Sequence, residues 1–137
     1  SYANKIIKKF TKIGRQAKFH GFKDNNFVQK KMQDASIIII PSLWQEPFGL
    51  VAAEAMSNGV CIIAAKVGGI PEIINNNGVL IENINHNKLE NSLKDLMYDE
   101  EKRIVYQKKA WKNFKLSSES SSKRLDEHRK SIFQNLF

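Results

Sequence analysis

The feature that most constrains this chain is a run of four consecutive isoleucines, Ile37–Ile40, which Pro41 closes. Isoleucine favours extended backbone because its β-branched side chain restricts rotation about χ1. A strand that is apolar at every position must be buried on both faces, as happens in parallel sheets covered by helices. The run is also far shorter than the ~20 residues that a membrane-spanning helix requires. We therefore predict an internal strand of an α/β domain over residues 36–40.

Helical and extended segments alternate along the rest of the chain. We predict strands at residues 17–20, 36–40, 60–64 and 78–82. We predict helices at residues 2–13, 25–33, 49–57, from 71 into the "NNNG" stretch, and at 88–98, 100–114 and 118–136. Asp24 and Asn85 precede two of these helices as N-caps, and Asn58-Gly59 supplies a left-handed stop for another. The alternation predicts an α/β fold, a Rossmann-like parallel sheet with helices on both faces, followed by helices only from about residue 85.

Composition sets the size and class of the domain. With 137 residues, 42% of them hydrophobic and 26% charged, the chain can bury a core and is expected to form one domain, residues 1–137. Its single cysteine, Cys61, lies in an apolar run and is interpreted as a small core residue. No signal peptide is recognisable, so we expect a cytoplasmic location.

The formal net charge is +8, and the excess of positive charge falls late in the chain. Ten basic residues crowd the C-terminal third: Lys102, Arg103, Lys108, Lys109, Lys112, Lys115, Lys123, Arg124, Arg129 and Lys130. Carboxylates are interleaved with them, which favours an ordinary solvated helix face. The alternative is a partner that carries phosphates, whether a nucleotide, a nucleic acid or an anionic membrane.

The segment "PSLWQEPFGLVAAEAM" leads from the isoleucine strand into a helix, at the sheet edge where α/β folds bind ligands. The amides of Phe48, Gly49 and Leu50 are the unsatisfied donors of that helix start and suit a phosphate or a polar sugar oxygen. Glu46 precedes the helix and Glu54 lies about one turn inside it, on the order of 10 Å away. This separation is too wide for an acid/base pair, but it suits two acceptors that hold hydroxyls at opposite ends of an extended ligand.

The longer segment "PSLWQEPFGLVAAEAMSNGVCIIAAKVGGIPEII" resembles the signature of retaining, GT-B-type glycosyltransferases with a Glu-x7-Glu motif, of the glycosyltransferase family 4-like kind. Within that family it is most similar to bacterial enzymes that build lipopolysaccharide and other surface glycans. The elements "PS", "EPFG", "EAM", "NG", "GG" and "PE" occur in order and with the family's spacing. The likeness is close over about residues 17–82 and loose over the later helices.

The resemblance implies a hexosyltransferase that moves a sugar from a nucleotide-diphosphate sugar to a glycan or lipid-linked acceptor, at the inner face of the membrane. It makes Glu46 the catalytic residue and the acceptor for donor-sugar hydroxyls, and Glu54 the acceptor for ribose hydroxyls. Five further positions complete the implied donor site: the amides of Phe48, Gly49 and Leu50 at the sugar and diphosphate, and Gly21 and Phe22 beside the base. It implies no metal and no cofactor, since the nucleotide sugar is a substrate.

The resemblance also implies that parts of the family's architecture are missing from this sequence. These are the acceptor-binding N-terminal domain, the first two strands of the donor domain, and the basic residues that normally hold the diphosphate. We therefore expect a donor-binding domain that is truncated at its N-terminus and is inactive alone.

Several interpretations stay open at this point. A non-catalytic module that binds a nucleotide or nucleotide sugar would use the same pocket. A basic nucleic-acid-binding domain is a further class, although no stacking aromatics on a sheet and no recognised motif support it, and we expect no nucleic acid. Gly68-Gly69 fits a plain turn or the ligand edge equally well, and we expect Trp44 to pack beneath its loop. Lys66 is a weak candidate for a contact to the diphosphate.

Overall fold

The computed structural model describes residues 17–45 and 47–114. The helices predicted at residues 2–13 and 118–136 lie outside this part of the chain. Eight elements follow one another in the described residues: α1 (Asn25–Asp34), β1 (Ile37–Ile40), α2 (Leu50–Ser57), β2 (Cys61–Ala65), α3 (Ile70–Ile74), β3 (Val79–Ile81), α4 (His86–Tyr98) and α5 (Glu100–Asn113).

The three strands form one parallel sheet in the order β1-β2-β3. Ile37 pairs with Cys61 in the first ladder, and Ile63 pairs with Val79 in the second. Each strand is joined to the next by a connection that contains a helix, as parallel pairing requires. The predicted strands at 36–40, 60–64 and 78–82 are confirmed with shifts of one residue at their ends.

The strand predicted at residues 17–20 is wrong, because this segment has no strand structure. A strand is held by hydrogen bonds to a neighbour, and within the described residues β1 is paired with β2 alone. The order 3-2-1-4-5-6 of doubly wound sheets would place two further strands between segment 17–20 and β1. Without them among the described residues, the segment has no ladder to join.

The helix starts and stops follow the local signals in the sequence. The Asp24 side chain accepts a hydrogen bond from the Phe27 amide at 2.8 Å, and Asn85 accepts one from the Lys88 amide at 3.0 Å. Helix α2 ends at Ser57, with Gly59 in the left-handed region at φ 64°. These caps confirm the predicted boundaries of α1, α2 and α4 to within one or two residues.

The side chains of β2 alternate between two apolar cores, one on each face of the sheet. Ile62 and Ala64 face the first core, together with residues of α2 and α3 and with Ala110 of α5. Cys61 and Ile63 face the second core, which Leu96 of α4 completes. Helices therefore cover both faces, and the predicted fold class is confirmed.

Cys61 is fully buried, as its interpretation as a core residue requires. Burial raises the pKa of the Cys61 thiol to about 11, against a smaller opposing effect of the Arg103 charge. The thiol is thus protonated at neutral pH and unreactive.

Helix α5 crosses the edge of the sheet at which the strands begin. The Gln107 side chain donates to the carbonyl of Ser36, just before β1, at 3.3 Å. Trp111 lies beside Gly59, before β2, and Asn113 donates to Asn77, before β3, at 2.7 Å. This end of the sheet is therefore closed, and the carboxyl ends of the strands lie at the opposite edge. No helix within the described ranges combines the length and apolar character needed to cross a bilayer.

The burial of β2 predicts a strong dependence of stability on Ile62. Ile62→Ala should lower the free energy of unfolding by about 2–5 kcal/mol, because it leaves a cavity in a fully buried position. Ile104→Ala, on the 37% exposed side chain of α5, should change it by less than about 0.5 kcal/mol. Urea unfolding of the full-length protein followed by circular dichroism measures both values. Equal losses in the two variants would contradict this account of the core.

Candidate functional site

Three connections leave the carboxyl ends of the strands and meet at one edge of the sheet. They comprise residues 41–49 after β1, residues 66–69 after β2 and residues 82–85 after β3. Ligands of open α/β sheets bind at this edge, because helix N-termini and loops converge there.

The first connection ends in a turn that only glycine forms without strain. Gly49 is the N-cap of α2 and has φ 60° and ψ 42°, in the left-handed region. Its carbonyl accepts from the amides of Ala52 at 2.9 Å and Ala53 at 3.2 Å, which begins the helix. Among the described residues, no side chain caps the helix start. The first amides of α2 thus carry the partial positive charge of a helix N-terminus without a side-chain cap.

The second connection packs against this turn and holds it in place. The Gln45 side-chain oxygen accepts from the Gly68 amide at 2.7 Å. A Cβ at Gly69 would stand 2.6 Å from the carbonyl oxygen of Pro47, and a Cβ at Gly49 would stand 3.1 Å from Cγ1 of Ile70. Backbone therefore packs on backbone at this point, which fixes the loop that bears the predicted site residues. Gly68-Gly69 is a structural turn and also lies at the predicted ligand edge.

The structure describes one of the two glutamates of the predicted pair. Glu54 lies in the second turn of α2 and is half-buried, with Ala53 and Ala55 beside it in the core. Glu46 lies outside the described residues. The separation of about 10 Å expected from helix geometry therefore stays a prediction.

Large apolar side chains project into solvent around the turn. Trp44 is 68% exposed, Phe48 73% and Leu50 70%. The expectation that Trp44 packs beneath its loop is wrong, because more than half of this residue is exposed to solvent. Exposed apolar groups clustered beside polar ones are typical of a binding surface.

A lysine and a glutamate join the second and third connections. The Lys66 ammonium lies 2.5 Å from the Glu82 carboxylate, and Lys88 donates to the Glu82 carbonyl at 2.7 Å. The hydrogen bond from Lys66, and then its charge, lowers the pKa of Glu82. Lys66 therefore reaches the carboxyl edge, but its charge is shared with Glu82.

Gly21 and Phe22, the residues predicted beside the base, belong to the segment that precedes α1. Gly21 has φ 65° and borders an apolar cleft of about 330 Å³ that Phe27, Met32 and Ile38 also line. Phe22 is 99% exposed. The described structure thus groups Phe48, Gly49, Leu50 and Glu54 in one connection and helix, and associates Gly21 with a separate cleft.

His20 stands at the rim of the same cleft, with its ring 5.1 Å from that of Phe27. Partial desolvation, followed by the charges of Lys18, Lys31 and Lys23, lowers the pKa of His20. Within residues 17–45 and 47–114, no group of three or more His, Cys, Asp or Glu side chains is arranged to hold a metal ion.

Two contacts between loops at the carboxyl edge of the sheet were not predicted from the sequence. Gln45 ties the site loop to the Gly68 amide, and Gly69 leaves room for the Pro47 carbonyl. The "GG" pair signals a turn, but nothing in the sequence tells which loop the turn packs against.

Comparison with known proteins gives a family and several relatives. The family model described as "Glycosyl transferases group 1" matches residues 4–113. An uncharacterized glycosyltransferase of Methanocaldococcus jannaschii is 31% identical over 106 residues, 69% of this chain and 27% of that protein. The lipopolysaccharide 1,2-N-acetylglucosaminetransferase of Salmonella typhimurium is 28% identical over 137 residues, 96% of this chain and 36% of that protein. The chain thus spans between a quarter and two fifths of the length of these two relatives.

Solved structures show the same fold. Anabaena HepE in complex with UDP-glucose matches with a TM-score of 0.76 and 25% identity, over 95% of this chain and 37% of that one. Sucrose-phosphate synthase from Thermosynechococcus elongatus matches with a TM-score of 0.75 and 24% identity, over 97% of this chain and 34% of that one.

The clamp between the two connections predicts a cost for any side chain at position 69. Gly69→Ala should lower the free energy of unfolding by about 1–3 kcal/mol, because its methyl group overlaps the Pro47 carbonyl. Gln45→Ala, which removes one hydrogen bond, should cost about 0.5–1.5 kcal/mol. Urea titration of the full-length variants measures both.

The matched control is Gln33→Ala, which truncates an exposed glutamine of α1 and should change the free energy by less than about 0.5 kcal/mol. A Gly69→Ala protein as stable as the wild type would show that the two loops do not pack as described.

Proposed function

The chain belongs to the group 1 glycosyl transferases, and from that premise we propose that it holds a nucleotide-diphosphate sugar at the carboxyl edge of its sheet for transfer to an acceptor. The observation that carries this proposal is the clamped turn at Gly49, which presents an uncapped helix start beyond the end of β1. The likeness to HepE, which was solved with UDP-glucose, supports the donor class.

Electrostatics explains why this turn suits a diphosphate. The N-terminus of a helix carries a partial positive charge, and its free amides donate to anionic oxygens. The missing Cβ at Gly49 lets the turn lie against Ile70, which holds these amides in place at the helix start. In our proposal the amides of Phe48, Gly49 and Leu50 hold the sugar and diphosphate oxygens.

Two carboxylates then hold the hydroxyls at the two ends of the donor. Glu46 takes the hydroxyls of the transferred sugar and is the catalytic residue, and Glu54 takes the ribose hydroxyls. Glu54 is half-buried on α2. A carboxylate in such a position is a better directed hydrogen-bond acceptor than a fully solvated carboxylate. Gly21 and Phe22 lie beside the base of the donor. Gly21 has a positive φ and no side chain that would keep the base from its backbone.

The type of transferase and the glycans on which it acts are proposed from the same relatives. We propose a retaining enzyme of the family 4-like, Glu-x7-Glu kind that works on bacterial surface glycans, in the cytoplasm at the inner face of the membrane. The likeness to the Salmonella lipopolysaccharide enzyme supports this assignment. This chain is the donor-binding domain, and a domain outside it binds the glycan or lipid-linked acceptor.

The two glutamates give the direct test. Glu46→Ala or Glu54→Ala in the full-length protein should weaken donor binding by about 1.5–3 kcal/mol each, because a charged acceptor for ligand hydroxyls is lost. Isothermal titration calorimetry with a panel of nucleotide sugars, which also identifies the donor, measures the effect, and a turnover assay separates transfer from mere binding.

Glu101→Ala is the matched control, because it removes an exposed carboxylate of α5 and leaves the carboxyl edge intact. Each variant must retain the wild-type circular dichroism spectrum. Wild-type affinity and turnover in Glu46→Ala or Glu54→Ala would end the role proposed for that residue.

The 137-residue chain produced alone should fold at least in part and transfer no sugar. Holding two reactants in register contributes roughly 7–11 kcal/mol to such reactions, and the acceptor-binding part is absent from the proposed domain. In the described residues β1 is paired on one side only, so the isolated chain should also self-associate. Circular dichroism, light scattering and a transfer assay test this together. Transfer by the isolated chain at about 1 per second, a rate ordinary for enzymes, would overturn the division of labour.

A further inference from the structure

The exposed side of α5 combines positive charge with large apolar side chains. The exposed residues of its last three turns are Ile104, Val105, Lys108, Lys109, Trp111, Lys112 and Asn113, and we call the surface formed by the first six the basic face of α5. Trp111 is 68% exposed even though its base packs beside Gly59.

The charge of this surface is not neutralised by the described part of the protein. The carboxylates of α5, Glu100 and Glu101, are confined to its first turn. There Lys102 pairs with Asp95 and Arg103 with Glu100. No ion pair within residues 17–45 and 47–114 involves Lys108, Lys109 or Lys112. Positive charge therefore accumulates toward the C-terminal half of the helix.

We propose that the basic face of α5 docks the protein on an anionic membrane surface. Lysines attract anionic headgroups, and each contributes about fivefold to binding near such a surface. Tryptophan favours the headgroup region, and aliphatic side chains beside it enter the boundary with the acyl chains. The coexistence of both residue types on one exposed face fits a lipid surface better than a nucleic acid, which offers no apolar phase for Ile104 and Val105.

The position of α5 is compatible with this role. The helix lies across the edge at which the strands begin, through contacts of Gln107, Trp111 and Asn113. The Gly49 turn lies at the opposite edge of the sheet. A membrane bound to α5 therefore leaves the proposed donor site open to solvent. The inference deepens the proposed location at the membrane face by naming the contacting surface, and it rests on that location but not on sugar transfer.

Vesicle binding tests the proposal without donor or acceptor. The full-length protein should bind phosphatidylcholine vesicles that contain about 30% phosphatidylglycerol, an anionic lipid, and should not bind pure phosphatidylcholine. The triple variant Lys108→Gln, Lys109→Gln, Lys112→Gln should bind roughly 100-fold more weakly, since three contributions of about fivefold are removed. Raising the salt concentration from about 0.05 to 0.5 M should release the wild type.

The matched control removes the same net charge from another surface. Lys23→Gln, Lys30→Gln, Lys31→Gln changes exposed lysines at and before α1 and should weaken binding less than about fivefold. Equal weakening in the two triple variants would show that net charge alone drives binding, and it would overturn the proposal. Wild-type circular dichroism in both variants verifies that each is folded.

Tryptophan fluorescence supplies an independent readout. In a Trp44→Phe background, Trp111 is the remaining tryptophan of this chain, and its emission should shift to the blue on anionic vesicles. An unshifted emission with vesicles bound would contradict the orientation. Tight binding of an RNA or DNA oligonucleotide with no vesicle binding would assign the face to nucleic acid and overturn the proposal.

Discussion

The complete burial of β2 is the constraint on which the rest of the structure depends. All five of its residues are buried, with β1 and β3 at its sides and helices on both faces. From such a strand the chain can reach the surface of the protein only at the two ends of the strand. At the carboxyl end the chain continues into the loop that contains Gly68-Gly69, and at the amino end α5 covers the edge of the sheet. The separation of a candidate ligand edge from a closed edge thus follows from burying one strand.

Close backbone packing converts this architecture into a site. A site loop needs a fixed shape, because a misplaced donor group loses most of its value to a ligand. Here the loop after β1 is held by the Gln45 side chain, by the Pro47 carbonyl against Gly69, and by Gly49 against Ile70. Glycine is required at 49 by its left-handed φ and at 69 by the lack of space for a Cβ. Both glycines are therefore required by the fold itself.

Much of the fold was predictable because its signals are local. The run Ile37–Ile40 signalled a strand, which the structure confirms, although only Ile40 of its four residues is buried and β1 has a partner on one side only in the described sheet. Asp24, Asn85 and Asn58-Gly59 signalled helix ends that the structure also confirms. Residues 17–20 failed because an extended segment becomes a strand only beside a partner, which its own composition does not reveal. The prediction for Trp44 failed because the composition of a loop does not reveal which of its side chains are exposed. The contact between Gln45 and Gly68 joins residues 23 positions apart and has no periodic signature. In the candidate site, the residues of the loop and helix could be proposed from the sequence, but the contacts that hold the loop in place could not.

The two edges of the sheet also divide the electrostatic work. At the carboxyl edge, charge is matched in pairs, as in Lys66 with Glu82, and the uncapped start of α2 offers only the partial charge of a helix N-terminus. An ammonium already shared with a carboxylate gives little to a diphosphate, so Lys66 adds little to the proposed donor site. At the other edge, Lys108, Lys109 and Lys112 have no carboxylate partner in the described part of the chain and carry full charges on a solvated helix face. Full, unpaired charges act over about 8 Å in physiological salt and suit attraction to a charged surface. Paired charges and partial dipoles act only at contact and suit the placement of a small ligand. The distribution of charge therefore matches a protein that is held by one edge and binds its ligand at the other.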